Sequence, residues 1–179
     1  MSKRSDFEKV EKDFYPTTDA KVLVPEFVRR ISGKTYAEPC YGYGDLEKLL
    51  MPYAELRFKS DIRVTVPATK VSDAMDLKAK DLEGCDLIIT NPPFTRSVLL
   101  PMIDKFISLK PTWLLLPADY MHNAYFRPYM NKCTCVVSIG RVCWFKKEGK
   151  RVASTDNFAW YFWPNKASGD SDTTFLTGG

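Results

Sequence analysis

The chain has 179 residues, 45% apolar and 27% charged, with a formal net charge of +4. That length suits one domain with a sizeable core, and the composition is that of a folded globular protein. No apolar stretch is long enough to span a bilayer, and no apolar signal region follows Met1-Ser2-Lys3-Arg4-Ser5-Asp6, so a cytoplasmic location is expected. Five cysteines without a Cys-x-x-Cys pair argue against a disulfide framework. Cys133, Cys135 and Cys143 lack metal-ligand spacing and a nearby histidine, so they read as strand residues packed in a core and no metal is expected. The single histidine, His122, argues against a histidine-dependent nucleophilic triad. The mild positive charge is compatible with a polyanionic partner.

In chain order, residues 1–14 are polar and charged. The first twelve are expected to be a flexible arm on a single domain covering residues 1–165. Asp13 to Thr17 is extended, because Pro16 biases Tyr15 away from the helical region. Thr17 or Thr18 is expected to cap a helix over Asp19 to Ser32, stopped by Gly33. Tyr36 to Leu46 reads as a strand, a glycine turn and the start of a helix reaching about Met51. Gly42 and Gly44 open that turn to a ligand, and the helix start presents free N–H groups. A second strand covers Ala54 to Ile62. Val64 to Thr69 is broken by Pro67, leaving no room for a full helix. Lys70 to Asp76 reads as a short strand with acidic residues at its end, and Lys78 to Leu82 as a helical turn.

The central strand follows. Leu87-Ile88-Ile89 is apolar and β-branched, and it ends abruptly at Asn91-Pro92-Pro93-Phe94, where two prolines can donate nothing to a ladder. A strand-ending turn is the plain reading of those four residues. Apolar positions at helical spacing predict a helix over Arg96 to Ser108, and Thr112 to Leu116 is a buried strand ended by Pro117. Phe126 to Met130 is a short helix or loop. Val136 to Ile139 and Arg141 to Phe145 read as strands separated at Gly140, and Asn157 to Pro164 as the last strand. Between them lies the basic stretch Lys146-Lys147-Glu148-Gly149-Lys150-Arg151. Residues 166–179 are rich in Gly, Ser, Thr and Asp, and disorder is expected.

Strands alternating with helices and then crowding together predict a Rossmann-like, three-layer α/β domain with a mostly parallel sheet and a C-terminal antiparallel hairpin. Ligands of such sheets bind at the carboxyl ends of strands. Glu38, Asp61, Asp73 and Asn91 all fall at such ends. Asp61 lies 17 residues after Gly44, near the spacing at which an acidic side chain meets a nucleoside ribose. In the loop after the central strand, the Asn91 side-chain oxygen and the Pro92 carbonyl are acceptors for an exocyclic amine, and Phe94 is a ring to stack on it.

Asn91-Pro92-Pro93-Phe94 in this setting resembles motif IV of the S-adenosylmethionine-dependent amino-methyltransferases, above all the DNA adenine-N6 type. Glu38-Pro39-x-x-Gly42-x-Gly44 resembles motif I of the same enzymes, and Phe14-Tyr15-Pro16-Thr17 looks like motif X. Their order is similar to the γ arrangement, the resemblance covers about residues 13–163, and the compact size looks like small phage-encoded members, which would place the protein in the host cytoplasm. The resemblance implies a methyltransferase domain that binds S-adenosylmethionine through Tyr15, Pro16, Thr17, Glu38, Pro39, Gly42, Gly44, Asp61 and Asp73. It implies catalysis of adenine-N6 methylation in DNA by Asn91, Pro92, Pro93 and Phe94. No separate target-recognition domain is found. Arg141, Lys146, Lys147, Lys150 and Arg151, all within eleven residues, are therefore the expected DNA contacts, with a solvated hairpin tip as the plain alternative. Cytosine N4, RNA adenine and protein glutamine stay open as targets, since the loop serves any planar amine. A non-catalytic nucleic-acid-binding protein on a degenerate methyltransferase fold is the other class. Cytosine-C5 chemistry would need a nucleophilic cysteine in the target loop, whereas Cys40 lies in the cofactor turn.

Overall fold

The computed structural model describes residues 15–63, 66–67, 69–147, 150–165 and 173–178, with backbone alone at 145–147 and 150–152. The arm expected at residues 1–12 lies outside them. Among the described residues eight strands form one sheet: β1 (Thr35–Glu38), β2 (Glu55–Asp61), β3 (Lys70–Val71), β4 (Leu87–Thr90), β5 (Thr112–Pro117), β6 (Cys135–Arg141), β9 (Asn157–Trp163) and β10 (Thr174–Leu176). Between β6 and β9, the strands β7 (Phe145–Lys147) and β8 (Lys150–Val152) make a separate antiparallel hairpin. The spatial order is β3-β2-β1-β4-β5-β9-β6-β10. Neighbours pair in parallel except at β9, which runs antiparallel to both β5 and β6. The fold is thus a mixed α/β sheet, mostly parallel, with its antiparallel strand near the C-terminus.

Period-2 alternation sends successive side chains to opposite faces, so each buried strand feeds two cores. In β5, Trp113 and Leu115 point to one face and Leu114 and Leu116 to the other. Helices α1 (Pro25–Ile31) and α2 (Asp45–Leu50) cover the first face, through Phe27, Ile31, Leu46 and Leu50. Helix α3 (Arg96–Leu109) covers the second through Leu99, Ile103 and Phe106. On the first face Phe27 stacks on Trp160 with centroids 4.1 Å apart, and the Trp160 indole N–H donates to the Val22 carbonyl at 2.8 Å. Large buried rings of this kind dominate a core, and satisfying the indole N–H lets Trp160 be fully buried.

Three sequence expectations change. The helix expected over residues 19–32 is a short 3-10 turn (Ala20–Val22) followed by α1. Pro25 has no N–H to donate back and disfavours helical backbone at Val24, so it starts a helix instead of continuing one. The cap of the first turn is Asp19, whose carboxylate accepts from the Lys21 amide and also from the distant Cys143 amide at 2.8 Å. Gly140 does not separate two strands. With φ +88° it forms a bulge, and β6 runs through it to Arg141, while Val142 to Trp144 lie outside any strand. The disorder expected over residues 166–179 fails at β10, which pairs with β6. Thr173 donates its hydroxyl to the Cys133 carbonyl and starts that pairing on an otherwise open edge. Residues 166–172 and 179 lie outside the described residues.

Candidate active site

The carboxyl ends of β1, β2 and β4 converge on a cavity of roughly 600 Å3. Its wall contains Tyr15, Pro16, Thr17, Glu38, Pro39, Gly42, Asp61, Asp73, Asn91 and Pro93. Ten residues predicted from separate parts of the chain are therefore brought to one space. Gly44, Pro92 and Phe94 do not line it. Gly44, at φ +74°, is the residue from which α2 starts, and a Cβ there would run into the Tyr41 ring. Pro92 is buried. Phe94 turns to the core, stacking on Tyr15 at 5.4 Å and approaching Trp144 and Phe158 at 6.4 and 5.7 Å.

The glycine turn is held by the next strand. Asp61 is 5% exposed, and its Oδ2 accepts from the Gly42 amide at 2.9 Å. Its Oδ1 accepts from the Arg63 amide at 3.0 Å, with the Arg63 Nε at 3.5 Å. The carboxylate of this cavity-lining residue thus fixes the turn. Asp73 accepts from the Met75 amide at 2.9 Å and caps the turn that follows β3. Asp61→Ala removes the brace as well as the acceptor. The affinity of a ligand seated in this cavity is expected to fall at least tenfold with a small loss of melting temperature, as read by calorimetry and thermal denaturation.

Glu38 is the deepest acid, 2% exposed, and its Oε2 finds no partner among the described residues. Burial, and then the charges of Glu47, Asp45 and Asp61, push its carboxyl well above the usual range, with Lys59 acting in the opposite sense. Tyr41 donates its hydroxyl to Glu47, and Lys59 lies over the Tyr41 ring. The cavity is a net-acidic cradle in a net-basic protein. Cys40 also faces this space, but burial pushes its thiol up to about 12, leaving almost no thiolate at neutral pH. Cys40→Ser is expected to leave turnover within about twofold, measured against a cysteine-reactive label as control.

In the loop after β4, the Asn91 amide nitrogen donates to the Tyr15 carbonyl at 2.9 Å and to the Thr17 hydroxyl at 3.1 Å. A carbonyl only accepts, so the amide orientation follows from chemistry. Oδ1 is left buried and without a partner among the described residues. A buried acceptor with no donor is costly, and a ligand amine would supply one.

The sequence reading missed part of the wall. Asp45, Tyr43, Met75 and the α3 residues Ser97, Val98, Pro101 and Met102 also line the cavity. The signal was present: Val98 and Pro101 form an apolar stripe at i,i+3 on the side of α3 away from Leu99 and Ile103, and Val98 is 41% exposed. Side chains of Lys146, Lys147, Lys150 and Arg151 lie outside the described residues, while Arg141 is exposed at the end of β6. Among the described residues no group of three His, Cys, Asp or Glu is placed to hold a metal, and no helix is long and apolar enough to cross a membrane.

No family model and no curated protein matches the sequence. Solved structures do share the fold. A Pyrococcus horikoshii protein described as a candidate RNA methyltransferase superposes with TM-score 0.60 at 16% identity, over 89% of this chain and 91% of that one. The modification subunit of a candidate type I restriction enzyme from Vibrio vulnificus gives 0.55 at 11% identity, over 95% of this chain and 48% of its own. The E. cuniculi Mtq2–Trm112 complex, responsible for methylating a translation termination factor, gives 0.52 at 14% identity, over 84% and 97%. A candidate class I S-adenosylmethionine-dependent methyltransferase from Listeria monocytogenes gives 0.56 at 10% identity, and this chain spans 61% of it. At such identities the likeness is one of fold.

Proposed function

We propose that this protein is an S-adenosylmethionine-dependent methyltransferase acting on the exocyclic N6 amine of adenine in DNA. The observation that carries the reading is Asn91 on the wall of an acid-lined cavity, with its amide nitrogen tied to the Tyr15 segment and its buried oxygen without a hydrogen-bond partner among the described residues. The cofactor fits that cavity by charge: its ammonium and sulfonium are cations, and Glu38 is an orphaned buried acid flanked by Asp45 and Asp61. When bound, it supplies an electrophilic methyl group.

The chain's own residues do the rest by positioning. An adenine amine is a poor nucleophile because its lone pair is spread into the ring. Asn91 Oδ1, the acceptor of this loop whose residue lines the cavity, would draw a proton out of the ring plane and turn the lone pair toward the methyl group. Asn91 does not keep that proton, so it leaves to solvent. In a duplex the base must first leave the stack, which costs a few kcal/mol. Of the aromatic group Tyr15, Phe94 and Trp144, Tyr15 is the ring that lines the cavity, and it offers stacking in return.

The small-phage character and the DNA target rest on the sequence resemblance, and fold neighbours of several substrate types fit the broader reading. The same loop also fits cytosine N4, RNA adenine and glutamine. The deciding experiment is mass spectrometry of nucleosides from DNA and RNA incubated with protein and labelled cofactor. N6-methyldeoxyadenosine is expected. Label in ribonucleosides, in methylcytosine or in protein alone would reassign the substrate, and no binding of cofactor at millimolar concentration would overturn the methyltransferase reading. For DNA contact, Lys146, Lys147 and Lys150 changed together to Ala should weaken binding on all sequences. Each lost phosphate contact should flatten the salt slope by about 0.9 on duplex DNA.

A further inference from the structure

A second wall stands beside the Asn91 loop, and the scheme above does not use it. After β5 the chain makes two 3-10 turns, Ala118–His122 and Ala124–Phe126. Tyr120 ties the first to the loop, its hydroxyl donating to the Phe94 carbonyl at 2.9 Å. The Tyr120 ring meets Tyr125 edge-on, with centroids 6.3 Å apart, and the Asn123 amide donates to the Tyr125 hydroxyl at 3.3 Å. The guanidinium of Arg96 lies over the Tyr125 ring, 4.3 Å from its centroid. Arg96 is the first residue of α3, is exposed, and has the cavity-lining residues Thr95 and Ser97 on either side.

Arg96 is set apart by the ring beneath it and not by a missing counter-ion, since Arg30 and Arg141 also have no carboxylate partner among the described residues. Arg29, Lys48, Arg57, Lys59, Arg63 and Lys70 are each held in an ion pair with a carboxylate. Among the described residues Arg96 has no such partner, and neither has Arg127, exposed at the start of α4 (Arg127–Met130). A guanidinium lying on a ring has spent one face, while its N–H donors project in its own plane and remain available. That fork matches two oxygens of a phosphate, and the ring beneath it removes part of the side-chain freedom that binding would otherwise cost.

We infer that Arg96, held over Tyr125, grips a backbone phosphate flanking the target nucleotide of a DNA strand, with Tyr120 fixing the distance of this grip from the Asn91 loop. This rests on the nucleic-acid reading above. A protein substrate carries no phosphate there and would leave the pair idle.

The test measures binding of a fluorescein-labelled, adenine-containing oligodeoxynucleotide by anisotropy across a salt series, with the protein saturated with S-adenosylhomocysteine. Arg96→Ala should weaken binding roughly tenfold and lower the salt slope by about 0.7 on a single strand, or about 0.9 on a duplex. Arg96→Lys should retain the slope and recover only part of the affinity, because an ammonium keeps the charge without the fork. Tyr125→Ala should weaken binding and Tyr125→Phe should not. Cofactor affinity and melting temperature should match wild type in the Arg96 variants. If wild type binds and Arg96→Ala equals it in affinity and slope, the phosphate grip is wrong. If wild type binds the cofactor but neither single strand nor duplex, the DNA reading falls first and takes this inference with it.

Discussion

Asn91→Ala is expected to lower kcat for methyl transfer by at least about a hundredfold, the usual consequence of deleting a preorganised hydrogen-bonding group aimed at a reacting centre. The structure adds a second effect. The same amide holds the Tyr15 carbonyl and the Thr17 hydroxyl, so its loss also loosens one wall of the cavity. Cofactor affinity should therefore fall severalfold, far less than turnover. Thr17→Val separates the two effects, since it removes one anchor and leaves the Asn91 oxygen in place. Its turnover should drop only severalfold. Single-turnover rates and calorimetric affinities read the two quantities apart. An Asn91→Ala protein with near-normal turnover would sink the assignment of this loop.

Glu38→Gln should raise the melting temperature of the free protein at neutral and alkaline pH while weakening cofactor binding at least tenfold. The sign follows from the raised carboxyl. An unfolded Glu ionises near pH 4.3, whereas the folded group holds its proton to much higher pH. Between those two values the folded chain binds more protons than the unfolded one, so stability falls as pH rises through that window. Gln cannot ionise, and the fall should vanish. Binding runs the other way. A cation entering the cradle favours ionised Glu38, so wild-type binding should release a proton and tighten as pH rises. Calorimetry in buffers of different ionisation enthalpy would detect that proton. A Gln variant with unchanged affinity and unchanged pH dependence would show that Glu38 does not meet the cation.

Much of the site was legible because prolines and glycines punctuate it. Asn91-Pro92-Pro93 ends β4 where two missing N–H groups demand it, and Gly42 and Gly44, at φ +57° and +74°, turn the chain between β1 and α2. Acidic residues at strand ends then fell into place in order. Partners distant in sequence were not legible. Nothing local to Asp19 announces that it accepts from Cys143, and nothing in Asp61 announces that it braces Gly42. Phe94 was read as a ring for the substrate, yet it stacks on Tyr15, a contact only the fold creates. The strand at Thr174–Leu176 was hidden by a polar composition, because the open edge of β6, rather than any local preference, is what orders it.

The position of β9 bears on how the chain reaches this state. It is the last long strand to be synthesised, yet it lies inside the sheet, hydrogen-bonded to β5 on one side and β6 on the other. Until residues 157–163 have left the ribosome, those two earlier strands have no neighbour across the gap. Each presents an unpaired edge, with buried residues such as Leu115 and Val137 on its faces. Trp160 must then seat under Phe27 and Val22, almost the whole length of the described chain away. Contacts so separated in sequence make folding slow, and the incomplete sheet is the species most open to wrong pairing. Substitutions that weaken β9 should therefore show first as lost soluble yield, before any change in the chemistry of the cavity.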